Sequence, residues 1–242
     1  MIAALYDIHG NLPALEAVLG DVRDEGFDLV VIGGDVAPGP MVGACLEAIR
    51  SAAVPWLGLR GNGDNDVLAA RCGPMPSRVP GTFHATIQWC ADRLSDEDTG
   101  TIAGWMPTRA LDLPGLGGIQ FCHATLRDDN EIFTESTPED RVAPAFDGVD
   151  AAVIVCGHTH IPFDRLVRGR RILNAGSVGM AFGDTAAQWL AVLDDDVEFR
   201  RTEYDLESAQ ARIDASGYPG VFDVAQPPSR EEMAAVFDAA AI

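Results

Sequence analysis

The sequence predicts an α/β fold built on parallel strands, and three observations lead there. Short apolar runs alternate with amphipathic stretches through the first 60 residues. Their strand–helix–strand spacing suits right-handed crossovers between parallel neighbours. The 242 residues, 47% hydrophobic and 22% charged, are enough for one large domain with its own core, and the composition is neither disordered nor collagen-like.

The elements follow in order. Ile2 to Tyr6 is a buried strand, with no basic segment before it, so it reads as part of the mature protein and not as a signal peptide. Leu12 to Glu25 forms a helix: Leu12, Leu15, Leu19 and Val22 share one face, and Pro13 suits its first turn. Phe27 to Ile32 is a second buried strand, closed by Gly33 and Gly34. A helix over Val42 to Ala52 and a strand over Val54 to Leu59 follow. Residues 65–115 change character: Pro and Gly cluster at 73–76 and 79–81, a helix spans Thr82 to Leu94, and Ser95 opens another. This segment reads as a helical, cap-like insertion beside the sheet. Strands resume at Leu116 to Cys122 and Ala151 to Cys156. Two hairpins are expected, Phe163–Val167 with Arg171–Asn174 and Gln188–Leu193 with Val197–Thr202. The Asp194-Asp195-Asp196 run is read as the solvated turn of the second. Residues 205–242 form a tail of two helices, Leu206 to Ile213 and Arg230 to Ala241, and the chain is expected to be a single domain over 1–242.

Charge limits the partners. Asp and Glu total 37 against 17 Lys and Arg, a formal net charge of −20. Such a field repels a nucleic-acid backbone, and no basic stretch offsets it, so stable nucleic-acid binding is not expected. No apolar run reaches the roughly 18–20 residues of a membrane span, so no membrane role is expected either. Five cysteines without CxxC spacing do not form a disulfide framework, and a reducing, cytoplasmic location fits them. The oligomeric state is not legible.

Metal-capable side chains recur where apolar strands end. Asp7 and His9 follow the first strand, Asp35 the second, and Asn62 and Asp64 the third. His123 follows the Leu116–Cys122 strand, and His158 and His160 follow the Ala151–Cys156 strand. In open α/β sheets ligands bind outside the carboxyl ends of the strands. Carboxylate, amide oxygen and imidazole together suit Mn, Fe, Zn, Co or Ni. Seven ligands exceed one tetrahedral site and suit two ions sharing a carboxylate. Four of the five histidines fall in this set; the fifth, His84, lies in the insertion and reads as a surface or core residue.

The ordered series Asp7-x-His9, Gly34-Asp35, Gly61-Asn62-x-Asp64, His123, Gly157-His158-x-His160 resembles that of the calcineurin-like metallophosphoesterases. Asp7-Ile8-His9-Gly10-Asn11 and Asn174-Ala175-Gly176-Ser177-Val178-Gly179 are similar to the small bacterial and archaeal phosphodiesterase-type branch. The resemblance spans about residues 1–200. It implies a four-layer α/β/β/α sandwich of two mixed sheets. It implies one metal held by Asp7, His9, Asp35 and His160, and a second by Asp35, Asn62, His123 and His158, with Asp35 bridging. The implied cofactors are two divalent ions, Mn foremost, with Fe, Zn, Ni or Co as alternatives. The implied reaction is attack of a metal-bridging hydroxide on a small-molecule phosphoester; Asp35, Asn62, Asp64 and Arg127 are the candidate catalytic residues. Arg127, four residues past His123, reads either as a grip for a phosphate oxygen or as an ordinary surface arginine.

One departure stands out. Gly63 occupies the position where many members of that family carry a histidine thought to protonate the leaving group. Asp64 then either bonds a metal-bound water or caps a turn. Good leaving groups, such as those of activated aryl phosphodiesters, are favoured, and a histidine restored at position 63 is expected to speed poor ones. The functional expectation is a binuclear phosphodiesterase. A phosphomonoesterase or protein phosphatase on the same site, or a catalytically weak metal-bound scaffold, are the alternatives.

Overall fold

The computed structural model describes all 242 residues. Its strands form two mixed five-stranded sheets packed face to face. In the first, β1 (Ile2–Leu5), β2 (Leu29–Ile32) and β3 (Trp56–Gly58) are parallel, while β9 (Ala187–Val192) and β10 (Val197–Thr202) add antiparallel on the other side of β1. The second has the order β4 (Thr108–Leu113), β5 (Gly117–Cys122), β6 (Val153–Cys156), β8 (Arg170–Asn174), β7 (Phe163–Val167). There β5, β6 and β8 are parallel and the two edge strands antiparallel.

Alternation along β1 explains the layering. Ile2, Ala4 and Tyr6 face the second sheet and join Val31, Phe121, Val155, Leu173 and Leu190 in the central core. Ala3 and Leu5 face outward, onto α1 (Leu12–Asp24) and α2 (Val42–Arg50), where Leu15, Val18, Leu46 and Ile49 are buried. Behind the second sheet, Ile154, Cys156 and Ile172 pack on Phe133, Val142 and Phe146 beside the short helix α6 (Glu139–Val142). The result is the expected four-layer α/β/β/α sandwich.

Elements between β3 and β5 are richer than the sequence indicated. Helix α3 (Asn62–Cys72) starts on an expected ligand, with α4 (His84–Ala91) and α5 (Asp96–Ala103) behind it. The stretch expected to be helical as far as residue 115 instead ends in β4, which pairs with β5 over Thr108–Leu113. The half-exposed face of β4 gives it only weak alternation, so it escapes detection. The tail forms α7 (Leu206–Ser216) and α8 (Arg230–Ala240). Arg212 pairs with Glu16 of α1 at 2.7 Å, while Arg141 donates to Ala241 O at 2.9 Å on the far side. The tail thus straps one sheet layer to the other. No helix is long and apolar enough to cross a membrane.

Candidate metal centre

Five parallel strands end at one edge of the sandwich, and each releases its polar residues there: β1 gives Asp7 and His9, β2 Asp35, β3 Asn62, β5 His123, and β6 His158 and His160. To leave a strand and turn at once across its end, the backbone must enter the left-handed region. Asp7 (φ 54°), His9 (46°), Asp35 (53°), His158 (71°) and His160 (55°) all do so. The only other non-glycine residue with positive φ is Arg168. Asp and His tolerate this region better than most residues, but each such position still costs on the order of 1–3 kcal/mol. Backbone strain is therefore concentrated on the residues the sequence singled out.

The side chains converge. Asp7 Oδ1 lies 3.5 Å from His160 Nε2 and 3.9 Å from His123 Nε2. Asp35 sends Oδ2 to within 3.8 Å of His9 Nε2 and Oδ1 to within 3.6 Å of His123 Nε2. Two clusters result, Asp7–His9–His160 and Asp7–Asp35–His123, with ligand atoms within 4.8 Å of one another. Asp7 belongs to both, and the two oxygens of Asp35 straddle them. Asn62 Oδ1 stands 3.1 Å from His123 Nε2. The His158 ring lies 5.2 Å from that of His123 by centroids, outside the two tight clusters.

Hydrogen bonds fix which atoms face inward. His9 Nδ1 bonds Pro38 O at 3.1 Å, His123 Nδ1 bonds Gly33 O at 3.0 Å, and His160 Nδ1 bonds Met180 O at 2.9 Å. A carbonyl only accepts, so each Nδ1 carries the proton and each neutral ring presents a bare Nε2 lone pair. His9 Nε2 and His160 Nε2 then face each other at 3.1 Å, and His123 Nε2 faces the Asn62 carbonyl oxygen at the same distance. Buried Asp7 Oδ1 and His158 Nε2 have no partner at all. Opposed lone pairs and orphaned acceptors repel one another unless a cation lies among them, so the donor set fits divalent metal.

Burial lowers His9 to about 4, with the neighbouring His160 acting in the same sense. Burial and His123 lower His158 to about 3. Both imidazoles are therefore neutral and ready to ligate at ordinary pH. Burial pushes Asp35 up to about 7 against the pull of His123, with Asp64 and Asp7 adding to the rise.

Asp64 is wholly buried, and neither oxygen is free. Oδ2 accepts the N–H groups of Asp35 at 2.8 Å and Gly61 at 3.0 Å, and Oδ1 accepts that of Ala37 at 2.9 Å. Of its two expected roles, these bonds are those of a cap: Asp64 positions the loop that carries Asp35. Asp64→Asn turns an NH₂ donor toward at least one of these N–H groups. A loss of about 2–3 kcal/mol is expected, read as a melting temperature lower by roughly 5–10 °C. An unchanged melt would contradict the assignment.

Arg127 is not brought into the cluster. Its half-exposed guanidinium is held by Glu131, with Nε 2.9 and 3.0 Å from the two carboxylate oxygens, and it makes no bond to any of the seven ligands. Gly63 carries a correction to the expectation about a restored histidine. A Cβ there would lie 2.4 Å from Ala37 O and 2.7 Å from Pro38 Cδ, so the space is already filled. His84 is exposed and bonds Val79 O at 3.0 Å, away from the centre.

Further residues support the site: Asn11, Asn174 and Ser177 lie within the two motifs that carry the resemblance, whereas Arg78 gives no local signal. Asn11, fully buried, donates to Gly179 O at 2.9 Å, and Ser177 Oγ donates to Asp7 O at 2.7 Å. Asn174 donates to Gly157 O at 2.6 Å and to Thr159 Oγ1 at 3.0 Å, bracing the loop of His158 and His160. From the insertion, Arg78 donates to Asn62 O at 3.2 Å while pairing with Asp66 and Asp129. All these contacts are long-range, and only the fold reveals them.

A model of the calcineurin-like phosphoesterase superfamily domain matches residues 1–196. An uncharacterised protein of Methanocaldococcus jannaschii, MJ0912, is 28% identical over 232 residues, covering 88% of this chain and 91% of its own. Among solved structures, a metallophosphoesterase from Sphaerobacter thermophilus superposes with a TM-score of 0.68 at 26% identity, over 90% of this chain and 95% of that one. The hypothetical protein PH1004 from Pyrococcus horikoshii shares the fold, with a TM-score of 0.70 at 20% identity and the same coverage.

Proposed function

The chain belongs to the calcineurin-like phosphoesterase superfamily, and from that premise we propose that it hydrolyses a phosphodiester of a small molecule or nucleotide at a pair of divalent cations, manganese foremost. The observation that carries this reading is the 3.1 Å approach of two bare imidazole nitrogens, His9 Nε2 and His160 Nε2, beside an unpartnered buried carboxylate oxygen of Asp7. Bound there, two cations neutralise phosphoryl oxygens and make water a nucleophile near neutral pH.

The protein's own part is orientation. Asp7, His9, Asp35 and His160 would hold one ion, and Asp35, Asn62, His123 and His158 the other. The carbonyls of Gly33, Pro38 and Met180 lock three of the rings, so the ligands need little rearrangement during the reaction. Asp64 fixes the loop of Asp35. No side chain at position 63 offers a proton, so the general-acid contribution, typically 10²- to 10⁴-fold, is forgone there. Esters whose leaving group departs as a stable anion are favoured. The net charge of −20 favours small substrates over polyanions.

The test is a pair of substrates with Mn²⁺. Bis-p-nitrophenyl phosphate is expected to turn over faster than p-nitrophenyl phosphate, and chelator should abolish both activities. A reversed ratio would make the protein a phosphomonoesterase. No turnover of either with two ions bound would make it a metal-stabilised scaffold.

A further inference from the structure

We propose that Arg78, in the insertion, is a positioning residue for one cation of the pair, the one assigned to Asn62, His123 and His158, so that it sets the loading of that ion and not of the other; this rests on the two-cation reading above.

The two ligand groups are held in different ways. Asp7, His9 and His160 form a tight cluster fixed from within the sandwich. The carbonyls of Pro38 and Met180 lock the two rings, and Asp7 Oδ2 accepts from His158 N at 2.8 Å. Asn62 and His158 stand outside both tight clusters. The Asn62 carbonyl oxygen faces the bare His123 Nε2 at 3.1 Å, two acceptors that push apart until a cation lies between them. The aim of Asn62 is therefore set by its backbone, at the first residue of α3.

Arg78 grips that backbone. Its Nη2 donates to Asn62 O at 3.2 Å, and its Nε donates to Asp66, one turn further along α3, at 3.0 Å. Its Nη1 donates to Asp129 Oδ1 at 3.1 Å, and the other oxygen of Asp129 accepts from Asn65 of α3 at 2.5 Å. Asp129 lies six residues beyond His123, and the backbone carbonyl of the next residue, Asn130, is within hydrogen-bond reach of the His158 ring. One guanidinium thus ties the helix start that carries Asn62 to the loop that runs past His158. A planar fork serves three acceptors in fixed directions, which a single ammonium does not. Asp66 is buried, which spares its pair with Arg78 the screening that weakens exposed ion pairs.

The insertion presents Arg78 on a pinned turn. Val79, the next residue, is buried in the core; its N–H donates to Pro76 O at 3.1 Å and its carbonyl accepts from His84 Nε2 at 3.0 Å. His84, the one histidine outside the centre, thereby supports the clamp. None of the bonds of Arg78 reaches Asp7, His9 or His160.

The experiment titrates Mn²⁺ into metal-free wild type, Arg78→Gln and Asp129→Asn by calorimetry. Electron paramagnetic resonance then distinguishes a spin-coupled pair of Mn²⁺ ions from a single ion, and melting without metal reports on the fold. Asp129→Asn turns an NH₂ donor toward Arg78 or Asn65 but leaves buried Asp66 paired, so it tests the clamp even if Arg78→Gln unfolds. Wild type is expected to bind two ions. In the variants one ion should keep its affinity and the other should bind at least tenfold more weakly, and the coupled signal should give way to that of a single ion. Equal weakening of both ions, or two ions retained at wild-type affinity in Asp129→Asn, would overturn the proposal. A wild type that binds fewer than two ions defeats the two-cation reading itself, and the clamp with it.

Discussion

Asp35→Asn is expected to lower turnover of an aryl phosphodiester by roughly 10³-fold or more. Loss of cation binding removes several kcal/mol of charge stabilisation, and about 1.4 kcal/mol corresponds to one decade of rate. The physical origin is the placement of its two oxygens, one toward His9 and one toward His123, so a single neutralisation weakens both clusters. Loss of fold does not explain this result. Burial raises the Asp35 carboxyl to about 7. A carboxylate raised in the folded state destabilises the fold above its unfolded pKa, most fully above its folded value. The neutral amide relieves that penalty and still accepts from Gly63 N–H, which is 2.8 Å from Oδ1. With chelator at pH 8 the variant should melt no lower than wild type, whereas the stabilisation wild type gains from Mn²⁺ should largely vanish. Full activity, or a variant that melts lower without metal, would contradict the account.

Gly63→Ala and Gly63→His are expected to damage the centre and not to repair it. The added Cβ meets Ala37 O and Pro38 Cδ, backbone and ring atoms with no freedom to swing aside, and comes within 3.1 Å of Asp35 Oδ1. The segment it displaces carries the Asp35 ligand and the Pro38 carbonyl that orients His9. Overpacking of this kind costs about 1–3 kcal/mol, a fall of roughly 3–10 °C in melting temperature. Disturbed ligand orientation should weaken metal binding about 10- to 100-fold. Rates on good and poor leaving groups should fall together. If Gly63→His sped the poor ones with unaltered metal content, that would contradict the close approach of the Ala37 carbonyl to position 63.

The strands that carry the ligands were legible because each is a short apolar run broken abruptly by Asp, Asn or His. That contrast is local, and so is the order of the motifs. What escaped detection depends on distant partners. β4 is an edge strand whose pattern is too weak to announce itself, and α3 begins on Asn62, which the sequence marks as a ligand and not as a helix start. Asp64 was left between two roles because its three bonds reach backbone groups up to 29 positions away. Arg127 was read from its spacing to His123, but its neighbour Glu131 claims it. The left-handed conformations of five ligands emerge only when the strand ends are brought together.

The central claim is that seven side chains from five strands grip a pair of cations. Anomalous scattering from crystals of the Mn²⁺-loaded protein tests it most directly. The account predicts two peaks about 3.5–4 Å apart, one beside Asp7, His9 and His160 and the other beside Asn62, His123 and His158, with Asp35 contacting both. One peak alone at full occupancy, or none among these residues, would contradict it.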